Sequence, residues 1–323
     1  MNDRRVLELR GPKTPVDASR AYAAVWEEEA TVDGSLAPTA VVFLTNRECP
    51  FRCVMCDLWT HTLDTSLRPG AIPTQVRAAL AALPAARHVK LYNAGSYFDP
   101  QAIPAEDDED VAVLLRGCDR VIVESHPAFL AGAHGERCLR FRDLLDETRL
   151  EIAIGLETAH EPTLARLNKR MTLDTFRRAA EFVVANGMDL RVFILLAPPF
   201  LRGRDAEEWA CRSIDLAASC GATACSIIPT RGGNGAMEAL GPEVERPRLP
   251  SLEHVVEYGL QREDIRVFAD LWDVETCFDC TCSSARADRL RDMNRCQHVT
   301  APVRCGCTGG AFEASSRPAP RGI

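Results

Sequence analysis

Six short runs, most of them rich in β-branched residues, recur along the chain, at Ala40–Thr45, His88–Asn93, Arg120–Glu124, Leu150–Gly155, Leu190–Leu196 and Ala222–Pro229. Helical periodicity follows each of them, over Thr74–Leu83, Asp108–Arg116, Leu139–Thr148, Leu173–Asn186, Ala206–Ser219 and Ser251–Leu260. In the fourth of these, Phe176, Ala179, Ala180 and Val183 share one face, and Gly187 is placed as a C-terminal stop. This alternation constrains the fold more than any other feature. Strands that are apolar almost throughout must be covered on both faces, which means a parallel sheet flanked by helices. Six such units joined by right-handed crossovers predict an α/β fold, a partial (β/α)6 barrel rather than a full eight.

The flanks read differently. Residues 1–39 form a polar, proline-containing lead-in with a helix expected over Ser19–Ala30, residues 40–262 the barrel, and residues 263–310 a cysteine-rich extension. The last stretch, 311–323, ends in SSRPAPRGI and is expected to be disordered. The acidic run at 106–110 reads as a helix start, because carboxylates favour helix N-termini. The longest apolar runs, around Val192–Leu196, fall far short of the roughly 20 residues of a membrane span. No apolar segment follows the N-terminal basic residues, so no secretory leader and no membrane partner are expected, and the compartment is read as cytoplasmic. A net charge of −8 argues against a surface devoted to gripping nucleic acid.

Cysteine is the anomaly. The chain has 14, of which three fall in Cys49-Pro-Phe-Arg-Cys53-Val-Met-Cys56 and six in the segment Cys277–Cys307. In a reducing compartment such clusters read as metal ligands rather than disulfides. The first, C-x3-C-x2-C, directly follows the first expected strand, where barrels carry their catalytic loops. Three thiolates there can hold three irons of a 4Fe–4S cube and leave the fourth open. A structural zinc site would want a fourth ligand, for which Asp57 and His61 are poor candidates. Cys118, Cys138, Cys211, Cys220 and Cys225 stand singly and read as small hydrophobes.

Further segments extend the pattern: Leu91-Tyr-Asn-Ala-Gly-Ser96-Tyr-Phe-Asp99, Val123-Glu-Ser-His-Pro127, Gly155-Leu-Glu-Thr158, Leu167-Asn-Lys-Arg-Met171, Pro198-Pro-Phe200 and Ser226-Ile-Ile-Pro-Thr230. With the cysteine loop, this ordered set over roughly residues 40–260 resembles the radical S-adenosylmethionine (SAM) superfamily. Within it, the set is most similar to the archaeosine-biosynthesis and Elongator-type proteins. The resemblance implies a catalytic 4Fe–4S cluster on Cys49, Cys53 and Cys56, and reductive cleavage of SAM to a 5′-deoxyadenosyl radical that abstracts hydrogen from a substrate. It also implies a flavodoxin- or ferredoxin-type reductant. By the same resemblance Asn93, Ala94, Gly95 and Ser96 match the loop that binds the SAM amino group. Glu124, Ser125 and Glu157 are candidates for its amine or ribose, and Lys169 and Arg170 for its carboxylate. His126 reads as a hydrogen-bonded structural residue or a proton-transfer group. Ala197 stands where relatives commonly carry a lysine, which bears on the substrate.

The second cluster comprises Cys277, Cys280, Cys282, Cys296, Cys305 and Cys307. Two readings stay open: an auxiliary iron–sulfur cluster on some of the six, or a zinc knuckle with His298 as a candidate ligand. They lead to different functions. An auxiliary cluster suits sulfur insertion into a small molecule such as a nucleoside or nucleotide. An archaeosine-type enzyme would instead cleave a C–N bond of a modified tRNA base. The acidic net charge favours the small molecule. The segment 277–323, with seven arginines against three aspartates and one glutamate, leans slightly toward tRNA. A cluster-bearing scaffold without catalysis is a third reading that the intact three-cysteine motif disfavours.

Overall fold

The computed structural model describes residues 1–306. Its centre is one eight-stranded sheet in chain order: β1 (Ala23–Ala30), β2 (Leu36–Leu44), β3 (His88–Asn93), β4 (Arg120–Glu124), β5 (Arg149–Glu157), β6 (Asp189–Leu196), β7 (Ala224–Pro229) and β8 (Arg266–Ala269). β2 to β8 are parallel, and β1 is antiparallel to β2. The main helices are α1 (Asp3–Leu9), α2 (Ala71–Ala82), α3 (Asp108–Leu115), α4 (Gly132–Leu144), α5 (Glu161–Arg166), α6 (Leu173–Ala185), α7 (Gly203–Ser219), α8 (Ala236–Leu240), α9 (Leu249–Leu260) and α10 (Ser283–Cys296). The six expected strands are β2 to β7, and the architecture is the partial α/β barrel that the alternation predicts.

Ion pairs across the interior show the curl. Arg191 on β6 reaches both Glu29 on β1 (2.6 Å) and Glu151 on β5, and Lys90 on β3 reaches Glu27 (2.6 Å) on β1. Strands that are not neighbours touch only if the sheet wraps round a lumen. The bottom of that lumen is therefore ionic and the outer shell of the sheet apolar. Outward-facing Val42, Leu91, Ile152, Leu190 and Val192 pack under helices, as do Phe176 and Val183 of α6.

The expected helix over Ser19–Ala30 is a correction: residues 23–30 form β1. The Glu- and Ala-rich composition favours a helix locally, but two tertiary facts override it. Thr31–Ser35 closes a hairpin, with the Thr31 N–H donating to the Ser35 carbonyl at 2.8 Å and Gly34 at φ 81°. Alternation then sends Glu27 and Glu29 inward to Lys90 and Arg191, while Glu28 points out to Arg295 (2.5 Å).

β8 and α10 were absent from the sequence reading. β8 is buried at all four positions, and among the described residues its free edge is not paired to another strand. Instead Asn294 and Gln297, at and just beyond the end of α10, bond it with side-chain amides. Asn294 accepts from the Ala269 N–H at 2.7 Å and donates to its carbonyl at 2.8 Å. Gln297 does the same to Val267 at 2.9 and 3.2 Å. Two side chains thus satisfy four edge groups that would otherwise invite another chain. No described helix is long and apolar enough to cross a membrane.

Candidate active site at the barrel mouth

The C-terminal ends of the strands open on a single mouth, and the loop after β2 carries Cys49, Cys53 and Cys56 into it. Three side-chain amides fix this loop. Asn46 donates to the Ala94 carbonyl at 3.2 Å and accepts its N–H at 3.3 Å, tying the start of the loop to the Asn93–Ser96 turn. Asn168 donates to the Arg52 carbonyl at 2.7 Å. Asn234 donates to the Val54 and Cys56 carbonyls at 2.8 and 3.1 Å while accepting the Met237 N–H at 2.8 Å. Glu48 adds charge, pairing with Arg10 (2.6 Å), Lys13 (2.8 Å) and Arg52 (3.3 Å). The reading of the sequence missed all three asparagines, since nothing in their local pattern sets them apart from turn residues.

Burial pushes the thiols of Cys49, Cys53 and Cys56 up to about 12, so in the absence of metal they are protonated and exert no useful mutual repulsion. Loading a metal must displace those protons. Two observations fit a 4Fe–4S cluster with SAM here. A Cβ on Gly95, at φ 134°, would lie 3.2 Å from the Cys49 Cβ and 3.5 Å from its sulfur, so only glycine leaves that space open. Beside it, the side-chain amide of Asn93 is buried with neither its oxygen nor its nitrogen bonded, a polar group placed for a ligand.

Glu157 and Lys169 form a buried ion pair at the same mouth. A bulge between Gly155 and Glu157 and a φ of 67° at Glu157 turn its carboxylate inward. A Cβ at Gly155 would collide with both Glu157 Oε1 and Lys169 Nζ, so the glycine is required for the pair. Lys169 sits in a turn whose flanking residues, Asn168 and Arg170, both adopt φ 57°, a costly backbone that aims the lysine. Burial opposes the ammonium, but the Glu157 carboxylate outweighs it and holds Lys169 above its ordinary value. Arg170 points the other way, to Asp3 on α1, and is not brought to the mouth.

Glu124 ends β4 within reach of both members of that pair. Burial first, then the Glu157 charge against Lys169, raises its carboxyl to about 8. Next to it, the Ser125 hydroxyl donates to the His126 carbonyl at 3.3 Å, and Ser96 accepts the His126 N–H at 2.8 Å. His126 itself is structural. Its Nδ1 accepts the Ala128 N–H at 3.1 Å, which leaves Nε2 to donate to the Lys169 carbonyl at 3.0 Å, and burial lowers its pKa to about 4. Its ring lies 4.0 Å from that of Phe51 in the cysteine loop.

Above the ionic floor runs an aromatic wall that the sequence reading did not see. Phe43 contacts Tyr22, Tyr92 and Trp272 at 5.7, 6.1 and 5.3 Å, Tyr92 meets Phe193 at 5.8 Å, and Tyr22 stacks on His61 at 4.8 Å and 11°. The signal was present as a two-residue step, Lys90 then Tyr92 and Arg191 then Phe193, with charge at the floor and an aromatic above it.

The second cysteine cluster divides. Cys280, Cys282 and Cys305 bring their sulfurs within 4.8 Å of one another. Cys277 is buried in the main core, and Cys296 is exposed with its sulfur bonded to the His298 carbonyl at 3.4 Å. Cys307 and the tail expected to be disordered lie outside the described residues. Of the solitary cysteines, Cys138, Cys211 and Cys225 are buried and Cys118 and Cys220 partly so.

No protein-family model matches the chain. It is 28% identical over 230 residues to archaeosine synthase subunit beta of Methanosarcina acetivorans, covering 67% of this chain and 65% of that protein. To archaeosine synthase subunit beta of Thermococcus kodakarensis it is 27% identical over 201 residues, 58% of this chain and 61% of that one. The chain thus spans a little under two thirds of these curated relatives. In fold it is similar to methylornithine synthase, with a TM-score of 0.54 and 14% identity over 76% of this chain and 68% of the other. With its three-cysteine loop at the mouth of this half-barrel, these relatives in sequence and this neighbour in fold, the chain resembles the radical SAM superfamily.

Proposed function

We propose that the chain is an enzyme that reductively cleaves SAM and takes hydrogen from a planar nucleoside-type substrate, with tRNA as the carrier of that nucleoside. The observation that carries the reading is the convergence on one mouth of the Cys49–Cys56 loop, the Gly95 turn and the Glu157–Lys169 pair. A 4Fe–4S cluster held by Cys49, Cys53 and Cys56 and reduced by an external one-electron donor would supply the electron for splitting SAM into methionine and a 5′-deoxyadenosyl radical. The remaining tasks fall to the chain's own side chains. Lys169 offers its ammonium to the SAM carboxylate while Glu157 keeps it charged. The Asn93–Ser96 turn presents backbone and amide groups to the SAM amine. Glu124 is protonated below about pH 8, so it can donate a hydrogen bond where an ordinary glutamate would only accept. Tyr22, Phe43, Tyr92 and Trp272 offer faces to a flat ring.

The choice of tRNA over a free small molecule rests on the relatives, which are named as archaeosine synthase subunits. It outweighs the acidic net charge, which is a whole-chain sum. C–N cleavage of an archaeosine-type base is then the matching reaction. Sulfur insertion is the second reading, and it would need an iron–sulfur cluster on the tail cysteines, of which Cys280, Cys282 and Cys305 converge.

The test is 5′-deoxyadenosine release by anaerobically reconstituted protein given SAM and a strong reductant, wild type beside Cys53→Ala. Release from the wild type and none from the variant is expected. Equal release from both would overturn the assignment of the loop. Retention of tRNA that weakens steeply with salt supports the carrier, and a salt-independent or absent interaction removes it.

A further inference from the structure

The tail sulfurs carry chemical information in their spacing. Those of Cys280 and Cys305 stand 3.9 Å apart, and Cys282 joins them within 4.8 Å. A single zinc ion holds thiolates at about 2.3 Å in a tetrahedron, which sets any two ligand sulfurs about 3.8 Å apart. A four-iron cube places each thiolate on its own iron. Each ligand sulfur then projects outward from a separate corner, and the sulfurs stand further apart than ligands sharing one ion. The two cysteine sites differ in this respect, since among the described residues Cys49, Cys53 and Cys56 are not gathered within 4.8 Å.

We propose that the tail holds one tetrahedral zinc ion on Cys280, Cys282 and Cys305, with the fourth corner taken by water or by a ligand from outside this triad. The surroundings suit thiolates. Ser283 accepts the N–H groups of Asp279 and Cys280, both at 3.1 Å, and turns its hydroxyl toward the Cys280 sulfur at 3.7 Å. Arg286, anchored to Glu253, hydrogen-bonds Cys305. Donors and a guanidinium beside the sulfurs favour the charged form that a metal needs. Cys280 and Cys282 precede α10 and Cys305 follows it, so one ion fastens the returning chain to the N-terminal end of that helix. Zinc has no redox chemistry and brings no sulfide. The tail then cannot donate sulfur, and C–N cleavage gains over sulfur insertion.

The experiment uses the full chain carrying Cys49→Ala, Cys53→Ala and Cys56→Ala together, which leaves the tail as the remaining clustered thiol site. Expressed with zinc and iron supplied, it is expected to hold about one zinc per chain with no acid-labile sulfide. Cobalt titration should give the visible bands of tetrahedral cobalt thiolate. Cys280→Ser or Cys305→Ser on that background should lose the metal, and Cys296→Ser should keep it. Two or more irons with sulfide, no stoichiometric zinc and no cobalt bands, or zinc retained without Cys280 and Cys305 would each overturn the proposal. Cobalt titration of the parent variant reports thiolate ligation even if the serine variants do not fold. The background lacks the Cys49 loop, so failure here leaves the SAM-cleavage test untouched.

Discussion

The two cysteine sites are built by opposite means. The loop at Cys49–Cys56 is held mainly by neutral amides, Asn46, Asn168 and Asn234, bonded to buried or partly buried backbone groups, with the Glu48 ion pairs beside them. The tail is held by charge, exposed at Arg246 and Arg248 and buried at Arg289. Arg246 donates to the Thr276 and Phe278 carbonyls, Arg248 pairs with Asp279 at 2.8 Å, and Arg289 bridges Glu253 and Glu257 at 3.1 and 2.6 Å. Buried bonds to neutral groups fix geometry without the desolvation cost of ions, whereas exposed ion pairs yield to salt and to motion. The first site therefore has its loop tied down by the chain's own bonds before any metal arrives, as positioning a reactive ligand requires. The second is suited to being completed by its ion.

The comparison can be broken most sharply by removing a ligand. Cys53→Ala is expected to take SAM cleavage to background while leaving tail metal content unchanged, measured by product assay beside elemental analysis. If tail metal falls with it, the sites are not independent. A gentler cut is Asn234→Leu, which leaves the Val54 and Cys56 carbonyls without their donor. Iron affinity should fall by about 10- to 100-fold, read by competition with a chelator, because supporting bonds orient metal ligands. An unchanged affinity would mean that Asn46, Asn168 and the Glu48 ion pairs hold the loop without Asn234.

Next in size come the buried charges. Lys169→Met strands Glu157 and should cost about 3–5 kcal/mol in urea unfolding of cluster-free protein, with Glu157→Gln restoring much of it. Glu124 makes a pH-dependent contribution. Its folded pKa is about 8 against an ordinary 4.5, so its stabilisation is full below the unfolded value and is lost as the pH rises through about 8. Glu124→Gln should flatten that fall, whose slope approaches about 1.4 kcal/mol per pH unit between pH 5 and 8. The smallest effect belongs to the tail rim, where Arg246→Ala should cost about 1 kcal/mol or less and weaken further in salt.

Local sequence determined the alternating units, because a strand lying under helices must be apolar at least on its outer face and a covering helix must show one apolar stripe. His88–Asn93 and Arg120–Glu124 stand where that logic put them. It also determined the cysteine loop, since ligand spacing within eight residues is a local property. Tertiary structure alone decided the rest. β1 is a strand because its glutamates meet Lys90 and Arg191 from strands far along the chain. Arg170 turned to Asp3 while its neighbour Lys169 turned to Glu157, though the two are adjacent in sequence. Of the six tail cysteines, the return of the chain past α10 selected three described here. Each of these outcomes depends on a partner distant in sequence, and a charge or thiol carries no local mark of which partner it will meet.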